Sequence, residues 1–282
     1  RTNISVTITG ETGTGKELVA KAIHYNSKRS AKPFVAVNMA AIPKDLTESE
    51  LFGHEKGAFT GANYRRLGKF EETGGGTLFL DEIAEMDISL QAKLLRTLQE
   101  REIVRVGSNK PVKTDCRIIV ATNQNLQDFV LKKKFREDLY YRIFGLSIEL
   151  PPLRDRGNDI IILSKHFIKK FCNENDLPLK TLSKSAIDKL LSYSFPGNIR
   201  ELKSVIELAI TVTDEEEIGG DDIIPGNEAL LSDNIETDMT LREYNIKIVK
   251  SYLVKFDNDT KKVAEKLDIG VATIYRMLKE EK

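Results

Sequence analysis

The stretch that most constrains this chain is a glycine-rich loop at residues 10–17, which reads GETGTGKE. It follows the alternating β-branched positions Ile4, Val6 and Ile8, and apolar residues at helical spacing come after it. In the order strand, glycine-rich loop, helix, backbone N–H groups converge on phosphate oxygens. The loop therefore predicts a nucleotide-phosphate site in which Lys16 reaches the β- and γ-phosphates. The alternative is a glycine-rich turn that binds no ligand.

The whole loop supplies the predicted nucleotide contacts, and one of its positions is unusual. Glu17 stands where many phosphate loops carry a Ser or Thr that ligates Mg²⁺. We therefore expect the metal to be held mainly by other groups. The predicted nucleotide-binding residues of the loop are Gly10, Glu11, Thr12, Gly13, Thr14, Gly15, Lys16 and Glu17.

Polar side chains follow several apolar runs that read as buried strands. Asp81 and Glu82 come after TLFL, where Asp81 can hold Mg²⁺ through water and Glu82 can orient or deprotonate the attacking water. Asn38 ends the run PFVAVN, and Thr122 and Asn123 end the run RIIVATN. Because α/β sheets place ligand-facing groups at strand ends, Asn38 is a candidate to contact the catalytic machinery, and Thr122 and Asn123 are candidates to sense the γ-phosphate. Capping of the next segment is the alternative for these residues.

The composition is that of an ordinary folded protein. The 282 residues are 40% hydrophobic and 30% charged, and the length suffices for two or three domains. No apolar run approaches the roughly 18 residues of a membrane helix, which predicts a cytoplasmic protein without a membrane partner. Cys116 and Cys172 lack metal-binding spacing and are expected to be structural thiols. The chain begins at Arg1 rather than Met, so we expect a longer parent protein.

Prolines and charge divide the chain into predicted domains. Residues 1–150 read as an α/β part that ends before a Pro-Pro pair, and residues 151–218 read as a small helical part. Residues 219–238 are predicted to be an acidic linker, since residues 214–238 hold ten acidic and no basic residues. Residues 239–282 hold ten Lys and Arg against seven Asp and Glu and form the last predicted domain.

Residues 48–62 carry a second unusual feature, the segment ESELFGHEKGAFTGA. Phe59 and Thr60 stand between two glycines inside what otherwise reads as one helical region resuming near Arg65. A glycine-flanked aromatic that interrupts a helix predicts a mobile loop presenting Phe59 outward for contacts. A plain surface turn with Phe59 folded back is the alternative.

These segments together resemble the AAA+ ATPase of bacterial enhancer-binding proteins, the NtrC-type activators of sigma-54 RNA polymerase. The resemblance implies an α/β fold, namely an AAA+ P-loop NTPase with a parallel sheet flanked by helices and an α-helical lid. It rests on GETGTGKE, ESELFGHEKGAFTGA, GGGTLFLDEI, QAKLLRTLQE, FREDLYYRI, LPPLRDR and FPGNIREL, which span most of residues 10–210. In that family GAFTGA marks the loop that contacts sigma-54, which corresponds here to Gly57, Ala58, Phe59, Thr60, Gly61 and Ala62.

The resemblance also implies roles for single residues. It makes Asn38 the switch partner of Glu82, and it makes Arg200 the nucleotide sensor of the lid. Arg136 and Arg142 become arginine fingers that reach a neighbouring subunit's nucleotide, which requires a homo-oligomer, from a dimer to a hexamer or heptamer. Without the family, both arginines read as solvated ion pairs in an acid-rich helix.

The C-terminal segment reads as helix, turn, helix over residues 259–278. It resembles the Fis-type DNA-binding domain found at the end of these activators, which predicts a helix-turn-helix. A protein-binding helical bundle is the alternative. The predicted DNA contacts on the second helix are Thr273, Tyr275, Arg276 and Lys279.

The family resemblance predicts a sigma-54-dependent transcriptional activator, with a place in a two-component system. Its expected cofactors are ATP and Mg²⁺, and its expected partners are sigma-54 RNA polymerase holoenzyme, enhancer DNA and further copies of itself. One alternative is an AAA+ unfoldase or helicase-like motor, against which the GAFTGA segment argues. Another is a DNA-binding regulator with a decayed ATPase fold. The residues that argue against it are the intact Lys16, Asp81, Glu82 and Arg136.

Overall fold

The computed structural model describes residues 4–225 and 260–267 together with the single positions 253, 270 and 274. The chain divides into two compact units, with the boundary between Pro225 and Gly226. The predicted DNA contacts Thr273, Tyr275, Arg276 and Lys279 lie outside the described residues, as does the linker from residue 226 onward.

The α/β part of the first unit contains a parallel sheet, as predicted. The strands of the α/β part are β1 (Val6–Thr9), β2 (Phe34–Asn38), β3 (Gly53–His54), β4 (Arg66–Leu67), β5 (Thr77–Asp81), β6 (Glu102–Val104), β7 (Pro111–Lys113), β8 (Arg117–Thr122) and β9 (Leu146–Glu149). Within residues 4–225 five of these strands form the parallel sheet, in the order β2-β5-β8-β1-β9.

The central strands β5 and β8 are mostly apolar between their ends because helices cover both faces of the sheet. In β5, Leu78 and Leu80 join the larger core on one face, whereas Phe79 joins the smaller core on the other face. The smaller core includes Ala20, while the larger one includes Leu94. The helices of this part are α1 (Lys16–Tyr25), α2 (Lys44–Phe52), α3 (Lys69–Glu72), α4 (Ile88–Glu100), α5 (Leu126–Leu131) and α6 (Glu137–Ile143).

The prediction of one helical region resuming near Arg65 is wrong. Strands β3 and β4 pair antiparallel on either side of the GAFTGA segment, and α3 begins later, at Lys69. The cause is the close approach of two backbones, since a Cβ on Gly68 would lie 2.3 Å from the backbone nitrogen of Gly53. With φ of 77°, Gly53 also has a left-handed backbone that ends the preceding helix.

Strands β6 and β7 form an antiparallel hairpin around the turn at residues 107–109. The two cysteines are placed as the sequence predicts. The Cys116 thiol is largely buried, and burial raises its pKa to about 11. Cys172 is 1% exposed in the helical core, so both cysteines are placed as structural thiols.

The helical part of the first unit packs around its own core. Its elements are α7 (Asp159–Glu174), β10 (Thr181–Leu182), α8 (Lys184–Ser192), α9 (Asn198–Val212) and β11 (Glu217–Ile218). Strands β10 and β11 pair in parallel, and Ile218 and Ile223 are buried with Leu202 and Ile206. The compact unit therefore continues past residue 219, where the linker was predicted to begin, as far as Pro225.

The described part of the second unit contains α10 (Thr260–Leu267), which agrees with the first predicted helix of the C-terminal segment. Val263 and Ala264 on this helix are buried, as are Leu253 and Ile274. No helix in the described part of the chain is both long enough and apolar enough to span a bilayer.

Candidate nucleotide site

The phosphate loop owes its shape to glycines with left-handed backbones. Gly10, Gly13 and Gly15 have φ of 149°, 81° and 97°, and α1 begins directly afterwards at Lys16. A Cβ on Gly13 would lie 2.2 Å from the carbonyl oxygen of Gly197 in the helical part, so a side chain is excluded there. The loop and the helix N-terminus thus form the cradle that the sequence predicted.

Lys16 is held inside this cradle. Its side chain is 6% exposed, and Nζ donates hydrogen bonds to the carbonyl oxygens of Gly10 at 2.9 Å and Glu11 at 3.2 Å. The same Nζ lies 3.8 Å from Oε1 of Glu82. The ammonium is therefore placed between the loop and the predicted catalytic carboxylate.

The carboxylates sit where β5 ends. Asp81 is in register with Asn38 on the neighbouring strand β2, and its Oδ1 accepts a hydrogen bond from the N–H of Glu82 at 3.0 Å. Glu82 has φ of 51°, a left-handed conformation that is costly for a residue with a side chain. Its carboxylate reaches Lys16 on one side and, through Oε2 at 3.4 Å, the N–H of Asn123 on the other. Glu82 therefore links the phosphate loop to the end of β8.

The two predicted asparagines take different places in the structure. Asn123 Nδ2 donates to Oγ1 of Thr12 at 3.2 Å, so Asn123 contacts both the loop and Glu82. Asn38 Oδ1 instead accepts a hydrogen bond from the N–H of Ala40 at 2.9 Å and caps the 3₁₀ turn Met39–Ala41. Among the hydrogen bonds of the described residues, none joins Asn38 to Glu82. In the structure Asn38 therefore makes the capping contact, which is the alternative that the sequence left open.

The helical part closes one side of the site. A cleft of about 480 Å³ is lined by the phosphate loop, by Asp81 and Glu82, and by Arg200 of α9. The guanidinium of Arg200 is exposed, and the residue lines the same cleft as Lys16. The structure therefore brings the predicted lid sensor to the predicted phosphate site.

The donors present fit a magnesium ion. Mg²⁺ is usually bound by one or two carboxylates together with water and the substrate's phosphates. Asp81 and Glu82 supply such carboxylates, and the described residues contain no group of three or more His, Cys, Asp or Glu that could hold a metal without phosphates. Glu17, which stands where many phosphate loops carry a Ser or Thr, pairs with Lys21 at 2.7 Å on the surface of α1.

The predicted arginine fingers lie away from this cleft. Arg136 pairs through Nε and Nη2 with the carboxylate of Asp138, at 3.0 and 2.7 Å. Arg142 donates from Nη2 to the carbonyl oxygen of Leu98 at 2.8 Å. It lines a cavity with Gly145 at the amino ends of the strands, the opposite edge of the sheet from the phosphate loop. Neither arginine lines the cleft that holds Lys16 and Glu82.

The GAFTGA segment forms a tight loop with an exposed tip. The N–H of Gly57 donates to the carbonyl oxygen of Ala62 at 2.8 Å, and Thr60 is exposed. Phe59 is 39% exposed, and its ring packs edge-on against His54 with the centroids 5.0 Å apart. The loop is thus presented outward as predicted, while Phe59 is also partly folded back.

The β6–β7 hairpin supports the base of this loop. The sequence alone does not predict this contact. The N–H of Glu55 donates to the carbonyl oxygen of Val106 at 3.0 Å. Arg105 donates to Glu55 at 2.9 Å and pairs with Glu71 through two further hydrogen bonds. The sequence shows that the hairpin carries charged residues such as Arg105, but it does not identify their partners.

Fold and cleft together define the AAA+ class of P-loop ATPases. Residues 1–149 match the sigma-54 interaction domain, and residues 154–234 match the AAA+ ATPase lid domain. The chain belongs to the family of sigma-54-dependent transcriptional activators.

Similar proteins agree with this assignment. The chain is 54% identical to the regulatory protein AtoC of Escherichia coli K12 over 221 residues. This match covers 78% of this chain and 48% of AtoC. It is 52% identical over 220 residues to the DNA-binding transcriptional regulator NtrC of Azospirillum brasilense, covering 78% of this chain and 46% of NtrC. The chain therefore spans about half the length of these curated relatives.

Solved structures show the same architecture. NtrX from Brucella abortus in complex with ATP superposes with a TM-score of 0.76 at 34% identity, covering 99% of this chain and 64% of NtrX. The Saccharomyces cerevisiae Hsp104–ADP complex, at 18% identity and a TM-score of 0.52 over 74% of this chain and 40% of Hsp104, shares the fold alone.

Proposed function

We propose that this chain is the motor part of a sigma-54-dependent activator. It hydrolyses Mg-ATP as a homo-oligomer, from a dimer to a hexamer or heptamer, and remodels the closed complex of the sigma-54 RNA polymerase holoenzyme. The observation that carries the proposal is the convergence of Lys16, Asp81, Glu82 and Arg200 on one cleft. The family match and the ATP complex of NtrX support it.

Each residue of the cleft has a role in hydrolysis under this proposal. The loop N–H groups and Lys16 bind the phosphates, and Arg200 contacts them from the lid. Asp81 would hold Mg²⁺, and the bound ion would supply positive charge that neutralises the phosphates. Glu82 orients the attacking water, and Asn123, which donates to Glu82, keeps that carboxylate beside the γ-phosphate position.

The GAFTGA loop transmits the result of hydrolysis to sigma-54 in this proposal. Phe59 and Thr60 at its exposed tip make the contact. The loop's base is tied to the β6–β7 hairpin rather than to the phosphate loop. Contact with sigma-54 can therefore be lost by mutation without loss of ATP hydrolysis.

The C-terminal segment tethers the motor to enhancer DNA in this proposal. Residues 239–282 carry ten basic against seven acidic residues, which favours contact with phosphates. The proposed contacts are Thr273, Tyr275, Arg276 and Lys279.

The test of this function compares Thr60→Ala with the wild-type chain. We expect Thr60→Ala to keep ATP binding, assembly and most ATP hydrolysis, because Thr60 is exposed and lies outside the cleft. We expect it to lose sigma-54 binding in the presence of a transition-state analogue, and to lose promoter opening. Thr181→Ala, an exposed threonine of the lid, is the matched control and should behave as wild type.

Two outcomes would contradict the proposal. Promoter opening at the wild-type rate by Thr60→Ala would exclude the loop as the sigma-54 contact. Wild-type chain that hydrolyses ATP but neither binds sigma-54 nor opens promoters would be a different kind of AAA+ motor.

A further inference from the structure

The carboxylate of Glu11, the second residue of the phosphate loop, faces the helical lid. Arg154 donates to it from both terminal nitrogens, at 2.6 Å to Oε1 and 3.0 Å to Oε2. Asn198 donates from Nδ2 to the same Oε2 at 3.0 Å. Arg154 belongs to the 3₁₀ turn Leu153–Asp155 and Asn198 begins α9, so one carboxylate joins two separate lid segments.

Asn198 is fixed by its surroundings to an unusual degree. It is 0% exposed and has φ of 53°, a left-handed backbone that side chains rarely adopt. Its Oδ1 accepts the N–H of Leu153 at 2.7 Å, and its Nδ2 donates to the carbonyl oxygen of Thr12 at 3.1 Å as well as to Glu11. A strained conformation with both polar atoms satisfied indicates a position that the neighbouring segments determine.

The backbones of loop and lid are in direct contact beside Asn198. The N–H of Ile199 donates to the carbonyl oxygen of Gly13 at 3.0 Å, and Arg156 donates to the carbonyl oxygen of Thr14 at 3.0 Å. Arg200 follows within the same first turn of α9. The place of Arg200 relative to the phosphate loop is therefore set by these contacts.

Glu11 remains ionised over the whole range in which such a protein works. Its hydrogen bonds from Arg154, and then from Asn198, lower its pKa to about 2. The contact therefore combines a charged bidentate pair with a neutral amide, the kind of hydrogen bonding that fixes geometry best.

We propose that Glu11, Arg154 and Asn198 form a lid latch: they are positioning residues that hold Arg200 over the phosphates. The inference rests on the proposed ATP hydrolysis. Under it the Glu11 side chain acts on the lid, and the nucleotide is contacted by the backbone of the loop. The phosphate loop and the start of α9 then move as one body, so lid motion is passed directly to the phosphates.

The test is a double-mutant cycle between the latch and Arg200. Asn198→Gly removes the side chain and keeps the backbone, because glycine adopts the left-handed conformation without strain. We expect kcat/KM for ATP to fall by about 10²-fold, the effect of displacing a positioned group by roughly 1 Å. In the background of Arg200→Ala, the same substitution should cost almost nothing further, since the residue it positions is gone.

Three further variants complete the experiment. Asp176→Gly, also at an exposed lid position with φ of 53°, is the matched control and should keep wild-type kcat/KM. Arg154→Ala tests the latch at a side chain that is 43% exposed and so does not depend on tolerance of a buried change. Arg154→Lys should restore part of the activity, because it keeps the charge and loses the bidentate geometry.

The possible results are distinguishable. Equal activity of Asn198→Gly, Arg154→Ala and wild type would overturn the latch, as would losses that multiply with that of Arg200→Ala. If Lys16→Ala binds ATP as well as the wild-type chain does, the proposed function is overturned instead. If the latch variants keep wild-type kcat/KM while ATP binding requires Lys16, the proposed function stands and only this inference fails.

Discussion

Glu82 is the residue on which the proposed chemistry most directly depends. Glu82→Gln keeps the shape of the side chain and removes the carboxylate that would polarise water. We expect ATP to bind normally, because Lys16 and the loop are unchanged, and hydrolysis to fall by about 10² to 10⁴-fold. Binding of a fluorescent nucleotide and release of phosphate measure the two effects separately.

Glu85→Gln is the control for this prediction. Glu85 lies in the 3₁₀ turn Ile83–Glu85 directly after Glu82 and is exposed. Its substitution should leave both measurements unchanged. Unimpaired phosphate release by Glu82→Gln would show that another group orients the water.

The residues of the cleft can be recognised from the sequence, whereas the residues that position them cannot. Lys16, Asp81 and Glu82 follow local patterns of strand, loop and polar strand end, so each can be recognised from its neighbours. Asn198 and Glu11 are 187 residues apart, and their contact depends on how the lid docks. The residues next to Asn198 in the sequence give no sign that its partner is Glu11. The residues next to Asn38 are compatible with a capping role and with a catalytic role to the same degree.

At the scale of elements, the β6–β7 hairpin is expected to hold the GAFTGA loop in place. A Cβ on Gly107 would lie 2.7 Å from Cβ of Ala58, and Gly107 has φ of 78°. Gly107→Ala should therefore displace the loop and weaken sigma-54 binding, with ATP hydrolysis retained. The left-handed backbone adds a cost of about 1 to 2 kcal/mol in the free energy of unfolding.

Gly157→Ala separates the two effects. Gly157 has φ of 55°, and a Cβ there meets no atom within 4 Å. Its substitution should lower the free energy of unfolding to a similar degree without changing sigma-54 binding. If the two alanine variants bind sigma-54 equally well in a pull-down with a transition-state analogue, the hairpin does not position the loop.

The elements most easily predicted are those with long periodic patterns. The apolar runs of β5 and β8 and the amphipathic α4 are examples, because burial on a sheet or a helix face imposes a regular spacing. Strands β3 and β4 have two residues each, which is too short for any period. Their pairing follows from the close contact of Gly53 with Gly68, a tertiary feature.

At the scale of the whole molecule, the cleft lacks one component of the proposed machinery. The phosphate loop, the carboxylates and the lid all lie in the unit that ends at Pro225. Arg136 is bound to Asp138 and does not line the cleft. If Arg136 stabilises the transition state, it does so in the cleft of a neighbouring subunit, and a ring of identical chains supplies it.

Mixed assemblies test this arrangement. Glu82→Gln lacks the water-orienting carboxylate and Arg136→Ala lacks the finger, so each variant alone should be nearly inactive. In an equal mixture, random assembly places an intact Glu82 beside a neighbour's intact Arg136 at about a quarter of the interfaces. Each such interface regains the stabilisation of the transition state. We expect the mixture to hydrolyse ATP at about a quarter of the wild-type rate, measured by phosphate release at equal total chain.

The control is the double variant that carries both substitutions on one chain. Mixed with either single variant, it creates no interface with both groups intact, so no activity should return. Sedimentation in the presence of nucleotide verifies that every variant assembles. A mixture of the two assembled single variants that is no more active than either alone would place Arg136 outside the neighbour's active site. Arg136 would then serve only as the partner of Asp138 in an ordinary solvent-exposed ion pair.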